Sequence, residues 1–117
     1  MHVSNVQVGT PFYMDPSTRA TGRSSSASDV FSFGVIMWEL FCGRPPYVPD
    51  NTGGVVKAPD FPSFPPGTPP IFVNLALQCL SIKPSERPSF TQCQEVLQGL
   101  QNHLLAQIAH CQNQQLQ

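Results

Sequence analysis

The hydrophobic positions of the chain fall into three helix-like segments, separated by polar or proline-rich stretches. Residues 29–42 are apolar on nearly every face, residues 71–81 carry apolar side chains at helical spacing, and a longer periodic segment begins at Ser89. No stretch alternates apolar and polar residues clearly enough to predict a strand. The pattern therefore predicts a mainly α chain.

The segment 29–42 carries signals for both of its helix ends. Ser26 or Ser28 can accept a hydrogen bond from the first free backbone N–H groups, and the Ser26–Asp29 spacing fits a capping box. Asp29 also lies at the positive end of the helix dipole, where a carboxylate is stabilising. Gly43 favours a helix C-terminus, and the two prolines that follow it shortly cannot continue a helix.

A helix that is hydrophobic on nearly every face has to be covered by other elements. Trp38 lies within this segment, and we expect it to be a structural residue. If too few elements cover the helix, we expect Phe31, Phe33 or Trp38 to expose aromatic surface. The isolated chain would then be marginally stable and prone to aggregate.

The segments between and beyond the helices are predicted to be irregular. Residues 1–28 are polar and rich in Ser, Thr and Gly, which predicts irregular chain with one short turn after Pro16. Residues 43–70 hold nine of the 13 prolines, which predicts an extended connection with turns. The chain is thus divided into a loop at 1–28, a helical core at 29–100 and a Gln-rich helical tail at 101–117. We expect the tail to fray near residue 112.

The composition excludes several classes of function. Six basic and seven acidic residues give a net charge of −1, so the chain has no basic surface for nucleic acid. No apolar stretch is long enough to cross a membrane, and no signal peptide is visible. We therefore expect no nucleic-acid partner, no membrane association and a cytoplasmic location.

The cysteines form no C-x-x-C pair, which argues against zinc ribbons and thioredoxin-type redox motifs. Without an export signal, their spacing indicates reduced thiols. His103 and His110 are seven residues apart on roughly one helix face, and Cys111 lies beside them, but no further ligand is well spaced. We expect no metal site.

Three blocks of the sequence occur in an informative order and spacing. The first is GTPFYMDPS at 9–17, the second is SDVFSFGVIMWEL at 28–40 followed by GRPPY at 43–47, and the third is KPSERPSF at 83–90. In this order they resemble the end of the activation segment, the central buried helix and the segment before the last helix of a protein kinase domain. The resemblance spans roughly residues 9 to 100.

This resemblance implies a fold and a parent activity. The fold would be a partial kinase C-lobe with the activation-segment end, the central buried helix and two further helices, but without the N-lobe sheet. The W-E-L and R-P-S-F forms are similar to the tyrosine-kinase-like group of Ser/Thr kinases, in its Raf-like and mixed-lineage branches. The parent activity would be phosphorylation of protein Ser/Thr with ATP and Mg²⁺, and a substrate protein would be the partner.

The resemblance also suggests roles for individual residues. Gly9, Thr10, Pro11 and Tyr13 correspond to the substrate-facing end of the activation segment, where the family's threonine contacts the catalytic loop. Asp29 corresponds to a residue that bonds the backbone of that loop. Because no catalytic loop is recognisable in this sequence, we expect Thr10 to be a solvated loop residue and Asp29 to act at the helix terminus.

In the family, the arginine at the position of Arg87 pairs with a buried glutamate of the activation segment. Ser17 stands at the position of that glutamate. Leaving a buried guanidinium unpaired would cost about 3–5 kcal/mol. Either Arg87 reaches solvent or Asp15, two residues before Ser17, replaces the glutamate, and we favour Asp15 because it is so close in sequence.

The groups that transfer phosphate in kinases are not recognisable in this sequence. No G-x-G and no H-R-D occurs. Asp60-Phe61-Pro62 shares two letters with D-F-G, and Val55-Val56-Lys57 resembles the strand-lysine motif, but both follow the activation-segment block. We therefore expect no catalytic residue and no ATP or Mg²⁺ site in these 117 residues.

Two interpretations stay open at this point. The chain is either a catalytically incompetent C-lobe portion of a Ser/Thr kinase or a non-catalytic, pseudokinase-like interaction module. In the second case, exposed apolar helix faces and the uncharged helix at 96–111 would dock on a protein partner or self-associate.

Overall fold

The computed structural model describes residues 12–23 and 25–116. Within these ranges the chain forms four α-helices, one 3-10 turn at Pro84–Glu86 and a two-stranded hairpin. In chain order the elements are α1 (Pro16–Thr21), α2 (Ser26–Cys42), β1 (Tyr47–Pro49), β2 (Val55–Lys57), α3 (Pro70–Cys79) and α4 (Phe90–Leu116). The mainly α fold predicted from the sequence is confirmed, and α1 supplies the short turn expected in the N-terminal loop.

Helix α2 begins earlier than the sequence predicts. Its N-cap is Ser25, whose hydroxyl accepts the Ser28 N–H, while the Ser28 hydroxyl accepts the Ser25 N–H at 3.0 Å. The expected Ser26–Asp29 capping box is therefore wrong, and Asp29 is an exposed residue in the first turn. The predicted stop at Gly43 is correct, because this glycine adopts the left-handed conformation (φ 72°).

Helix α2 is not covered on all sides within the described part of the chain. Phe31 and Trp38 are buried, so the expected exposure is wrong for these two rings, whereas the half-buried Phe33 does expose part of its surface. Further exposed apolar surface lies at Ile36 and Leu40, which are 45% and 74% exposed. Each ring has its own neighbour: Phe31 lies against the Arg87 guanidinium, Phe33 packs edge-on against Phe90, and Trp38 packs edge-on against Phe61.

The connection between α2 and α3 folds back over Trp38. The indole Nε1 donates to the Ser63 carbonyl at 2.8 Å, and the Phe61 ring packs edge-on with a centroid distance of 5.0 Å. The Arg44 guanidinium lies 5.5 Å from the indole centre and forms an ion pair with Asp60. Asp60 and Phe61, which share two letters with D-F-G, thus pack around the far end of α2.

The hairpin corrects the expectation that the chain has no strand. Tyr47–Pro49 pairs antiparallel with Val55–Lys57. The Asp50 carboxylate accepts the backbone N–H groups of Thr52 and Gly54, each at 2.9 Å, and so shapes the turn. Each strand has only three residues, which is too short for the alternation of a half-buried strand to show in the sequence.

The core lies between α2, α3 and α4. The predicted apolar face of α3 is buried at Phe72, Leu75, Ala76 and Cys79, and it packs with residues of α2 and α4. Helices α2 and α3 approach closely at Gly34, where an added Cβ would lie 2.8 Å from the Cβ of Cys79. The absence of a side chain at this position therefore sets the distance between the two helices.

Helix α4 is capped at its start and extends beyond the core. The Gln92 side chain accepts the Ser89 N–H at 2.9 Å, and the Ser89 hydroxyl accepts the Gln92 N–H at 3.1 Å. Leu100 is its last buried residue before Gln114, and the helix continues to Leu116, beyond residue 112 where fraying is predicted. None of the helices described is long and apolar enough to cross a membrane.

Candidate functional site

The segment before α1 lies against helix α2. The Tyr13 hydroxyl donates to Glu39 Oε1 at 2.9 Å, and the Tyr13 carbonyl accepts the Ser32 hydroxyl at 2.6 Å. The Phe12 ring stacks on Tyr47 of the hairpin with a centroid distance of 5.4 Å. Three contacts from two elements thus fix the direction of this segment. The other residues assigned to it, Gly9, Thr10 and Pro11, lie outside the described residues.

Tyr13 is held in its protonated form. Burial, together with the hydrogen bond and the negative charge of Glu39, raises the pKa of Tyr13 to about 12. The phenol therefore keeps its proton at neutral pH and remains a hydrogen-bond donor to the carboxylate.

Asp15 is the most heavily hydrogen-bonded carboxylate of the described chain and is only 1% exposed. Its Oδ1 accepts Arg87 Nη2 at 2.7 Å and the Ser17 N–H at 3.1 Å. Its Oδ2 accepts the hydroxyls of Ser17 at 2.8 Å and Ser28 at 3.1 Å. The same side chain therefore caps α1, pairs with Arg87 and ties the segment to the start of α2.

Arg87 is fully buried and its donors find partners. In addition to Asp15, it donates to the carbonyl oxygens of Ala27 at 3.0 Å and Ser81 at 2.8 Å. The guanidinium carbon lies 5.0 Å from the centre of the Phe31 ring. Of the two alternatives, the structure contains the pair of Arg87 with Asp15. The Arg87 side chain does not reach solvent.

The sequence around each partner explains why the pair forms. Pro16 occupies the first turn of α1, so Asp15 is fixed as its N-cap residue with the carboxylate turned back to the Ser17 N–H. Arg87 follows the 3-10 turn Pro84–Glu86 in an extended conformation. The guanidinium holds the pKa of Asp15 well below its usual range, so the carboxylate is ionised at neutral pH.

A pocket of about 200 Å³ opens beside this pair. It is lined by Tyr13, Met14, Asp15, Thr18, Ser28, Asp29 and Ser32. The lining combines hydroxyl groups with the exposed carboxylate of Asp29. Over the described ranges, no three His, Cys, Asp or Glu side chains are grouped so that they could hold a metal ion.

A family model described as protein tyrosine and serine/threonine kinase matches residues 3–97. The chain belongs to this family. Its helical elements correspond to part of a kinase C-lobe.

Curated relatives agree with this assignment to the kinase family. The chain is 33% identical over 97 residues to the probable serine/threonine-protein kinase drkB of Dictyostelium discoideum, with 80% of this chain and 14% of that protein covered. It is 42% identical over 86 residues to mouse ephrin type-A receptor 10, covering 70% of this chain and 8% of the receptor. It is 35% identical over 99 residues to rat receptor-interacting serine/threonine-protein kinase 3, covering 74% and 21%. The chain thus spans about a fifth or less of these relatives.

In this kinase C-lobe, two further residues contact the segment before α1, and the motif comparison gives them no role. The Ser28 hydroxyl reaches Asp15, and the Ser32 hydroxyl reaches the Tyr13 carbonyl. Both lie on α2 four residues apart, so they share one face of the helix. Their helical spacing was the available signal, but nothing in the sequence states which segment packs on that face.

Proposed function

We propose that this chain is the C-lobe portion of a Ser/Thr protein kinase domain, in which it fixes the end of the activation segment on the central helix. The observation that carries the proposal is the buried pair of Arg87 and Asp15, which joins two segments 72 residues apart in sequence. The hydrogen bond between Tyr13 and Glu39 supports it, because it fixes the residues that precede the pair. Such a fixed segment is a suitable floor for a substrate peptide.

The parent activity in this proposal is the transfer of the γ-phosphoryl group of ATP, with Mg²⁺, to protein Ser or Thr in the cytoplasm. The W-E-L and R-P-S-F forms at 38–40 and 87–90 favour a Raf-like or mixed-lineage parent of the tyrosine-kinase-like group. The names of the Dictyostelium and rat relatives favour Ser/Thr specificity. The exposed carboxylate of Asp29, beside the pocket, would bond the backbone of a catalytic loop supplied by the parent domain.

By itself, the chain is expected to be catalytically silent. Catalysis of phosphoryl transfer depends almost entirely on positioning and on stabilisation of charge. The sequence contains no G-x-G and no H-R-D, which supply those groups in kinases. Lys57, the lysine of the strand-like motif, lies in β2 and donates to the Phe61 carbonyl at 2.9 Å, so it is engaged in a structural contact.

Titration of the purified chain with Mg-ATP in a calorimeter tests this part of the proposal. We expect no heat of binding and no phosphate transfer to a generic protein substrate. An intact Ser/Thr kinase domain, titrated in the same buffer, is the positive control. Measurable Mg-ATP affinity of this chain would show that a nucleotide site exists among these residues and would refute the proposed silence.

A second candidate function is self-association through the exposed end of α4. Beyond Leu100 the helix exposes Leu104, Leu105 and Ile108, which are 40–55% exposed. From residue 96 to 117 the sequence contains no Asp, Glu, Lys or Arg. We favour a second copy of the chain as the partner. Two such glutamine-rich surfaces carry no Asp, Glu, Lys or Arg and therefore do not repel each other, whereas the charges of a charged partner would have no opposite charge here to pair with. This exposed apolar surface supports the alternative function, in which the chain is a pseudokinase-like interaction module.

A further inference from the structure

Two buried cysteines face each other between α3 and α4. The Sγ atoms of Cys79 and Cys93 are 3.7 Å apart, and the residues are 0% and 2% exposed. The other two cysteines are not buried: Cys42 is half-buried and Cys111 is exposed. These two thiols come from different helices and touch each other directly. Packing of small apolar groups in a core does not require such a contact between two sulfur atoms.

We propose that Cys79 and Cys93 form a reversible disulfide that closes the loop carrying Arg87. A disulfide requires the sulfur atoms to move from 3.7 Å to about 2.0 Å. Cys79 is the last residue of α3, so its backbone can shift without breaking the middle of a helix. The proposal does not depend on the proposed function, because it uses only these two thiols and their surroundings.

Cys93 is only 2% exposed, but it borders a groove that opens to solvent. A groove of about 410 Å³ runs along α4 and is lined by Cys93 together with Phe33, Phe90 and Leu97. Hydrogen peroxide is small and neutral, so it can enter an apolar groove of this size. Cys79 does not line this groove, so Cys93 reacts first and Cys79 resolves the product.

The reaction balances with peroxide as the oxidant. The Cys93 thiolate attacks one peroxide oxygen, the O–O bond breaks, and Cys93 sulfenic acid and hydroxide form. The Cys79 thiolate then attacks the sulfenic sulfur, the S–O bond breaks, and the second hydroxide leaves. With the two thiol protons, both hydroxides become water, so two thiols and one peroxide give one disulfide and two water molecules.

The second step is the slow one. Burial, together with the neighbouring Cys93 thiol, raises the pKa of Cys79 to about 12, so its thiolate is scarce at neutral pH. The rate of disulfide formation is therefore expected to rise about tenfold for each pH unit while the thiolate fraction is small.

The disulfide would act on the segment between the two helices. Residues 80–92 connect Cys79 to Cys93, and Arg87 lies within this loop. Arg87 in turn holds Asp15 at 2.7 Å. Closing the loop lowers the entropy of the unfolded chain, so oxidation would make the opening that separates Arg87 from Asp15 less frequent and would hold residues 12–18 more firmly on α2.

The test uses the full chain with Cys42→Ser and Cys111→Ser, which leaves only the two buried thiols. The folded, reduced protein is treated with hydrogen peroxide, its free thiols are alkylated, and its peptides are identified by mass spectrometry. We expect a Cys79–Cys93 linked peptide, a melting temperature several degrees higher, and slower hydrogen exchange in residues 12–18. Dithiothreitol should reverse all three changes.

A further substitution, Cys93→Ser, is the matched control, and it should show neither the linked peptide nor slower exchange after peroxide. The proposal is overturned if both thiols of the folded protein are alkylated after peroxide treatment. It is equally overturned if Cys93 proceeds to sulfinic acid without a linked peptide, or if the linked peptide appears only in urea.

Discussion

At the scale of single residues, the Asp15 carboxylate is the acidic partner of the buried Arg87 guanidinium. Ser17, which stands at the family's glutamate position, becomes one of the donors to Asp15. The buried guanidinium therefore keeps a full partner although the expected acidic residue is absent. Asp15 can fill this role because, as the N-cap residue of α1, it accepts hydrogen bonds from Ser17 and from Arg87 at the same time.

The first prediction concerns this pair. Asp15→Asn leaves the Arg87 charge buried without a counter-charge, and we expect the free energy of unfolding to fall by about 3–5 kcal/mol. Urea denaturation followed by circular dichroism measures the change. Asp29→Asn is the matched control because Asp29 is exposed, and we expect it to cost about 0.5–1 kcal/mol or less. Equal effects of the two substitutions would contradict the role given to Asp15.

The pH dependence of stability gives a second measurement on the same pair. Arg87 lowers the pKa of Asp15 in the folded chain, so the unfolded chain binds a proton more readily than the folded one. The stabilisation from the pair is complete above the pKa that Asp15 has in the unfolded chain, about 4, and it is lost as the pH falls below that pKa. Between about pH 5 and pH 3, the wild-type chain should lose more stability than Asp15→Asn. If the free energies of unfolding of the wild type and of Asp15→Asn fell equally over this pH range, the pairing of Asp15 with Arg87 would be contradicted.

At the scale of elements, the contact between α2 and α3 depends on the absence of a side chain. In Gly34→Ala the new Cβ would lie 2.8 Å from the Cβ of Cys79 and 3.1 Å from Cγ of Leu80. The helices have to move apart, and we expect a loss of about 1–3 kcal/mol. The effect is measured by thermal and urea denaturation.

Gly99→Ala is the matched control for this prediction. Gly99 also lies inside a helix, but an added Cβ there meets nothing within 4 Å. Alanine has the higher helix propensity, so we expect a gain of about 0.5–1 kcal/mol. Opposite signs for the two substitutions would confirm the close approach, whereas a gain at both positions would rule it out.

The helices were predictable from the sequence, while some of their ends and the hairpin were not. The apolar spacing of 71–81 predicts α3 and its buried face, and Gly43 predicts the end of α2. The Ser25–Ser28 cap was missed because several serines precede the helix and each can cap it equally well. The hairpin was missed because its strands are held by pairing with each other, which a local pattern does not report.

At the scale of the whole molecule, α4 extends the chain far beyond its core. The described part of the chain extends over 59 × 33 × 26 Å, and every residue from 101 to 114 is exposed. Leu104 and Ile108 continue the face that packs against the core through Leu97 and Leu100. This continuation is the basis of the proposed self-association.

The last prediction tests that association. Leu104→Glu places a charge on the apolar face, and we expect it to convert a dimer into a monomer in size-exclusion chromatography with light scattering. Ala106→Glu adds the same charge on the opposite face and should leave the dimer intact. A wild-type chain that stays monomeric at the highest soluble concentration would rule out the second copy as partner. Far-ultraviolet circular dichroism checks that both variants remain helical.

The sequence by itself determined the kinase blocks, three helices and the small set of groups that can pair with Arg87. These features are local or follow from chain order, so periodicity and motif spacing report them. Only the tertiary structure decided that Asp15 is the partner of Arg87, that Trp38 of α2 is buried while Leu40 is exposed, and that Cys79 contacts Cys93. Each of these depends on which elements pack together, because contacts between residues distant in sequence are fixed by the geometry of the whole fold.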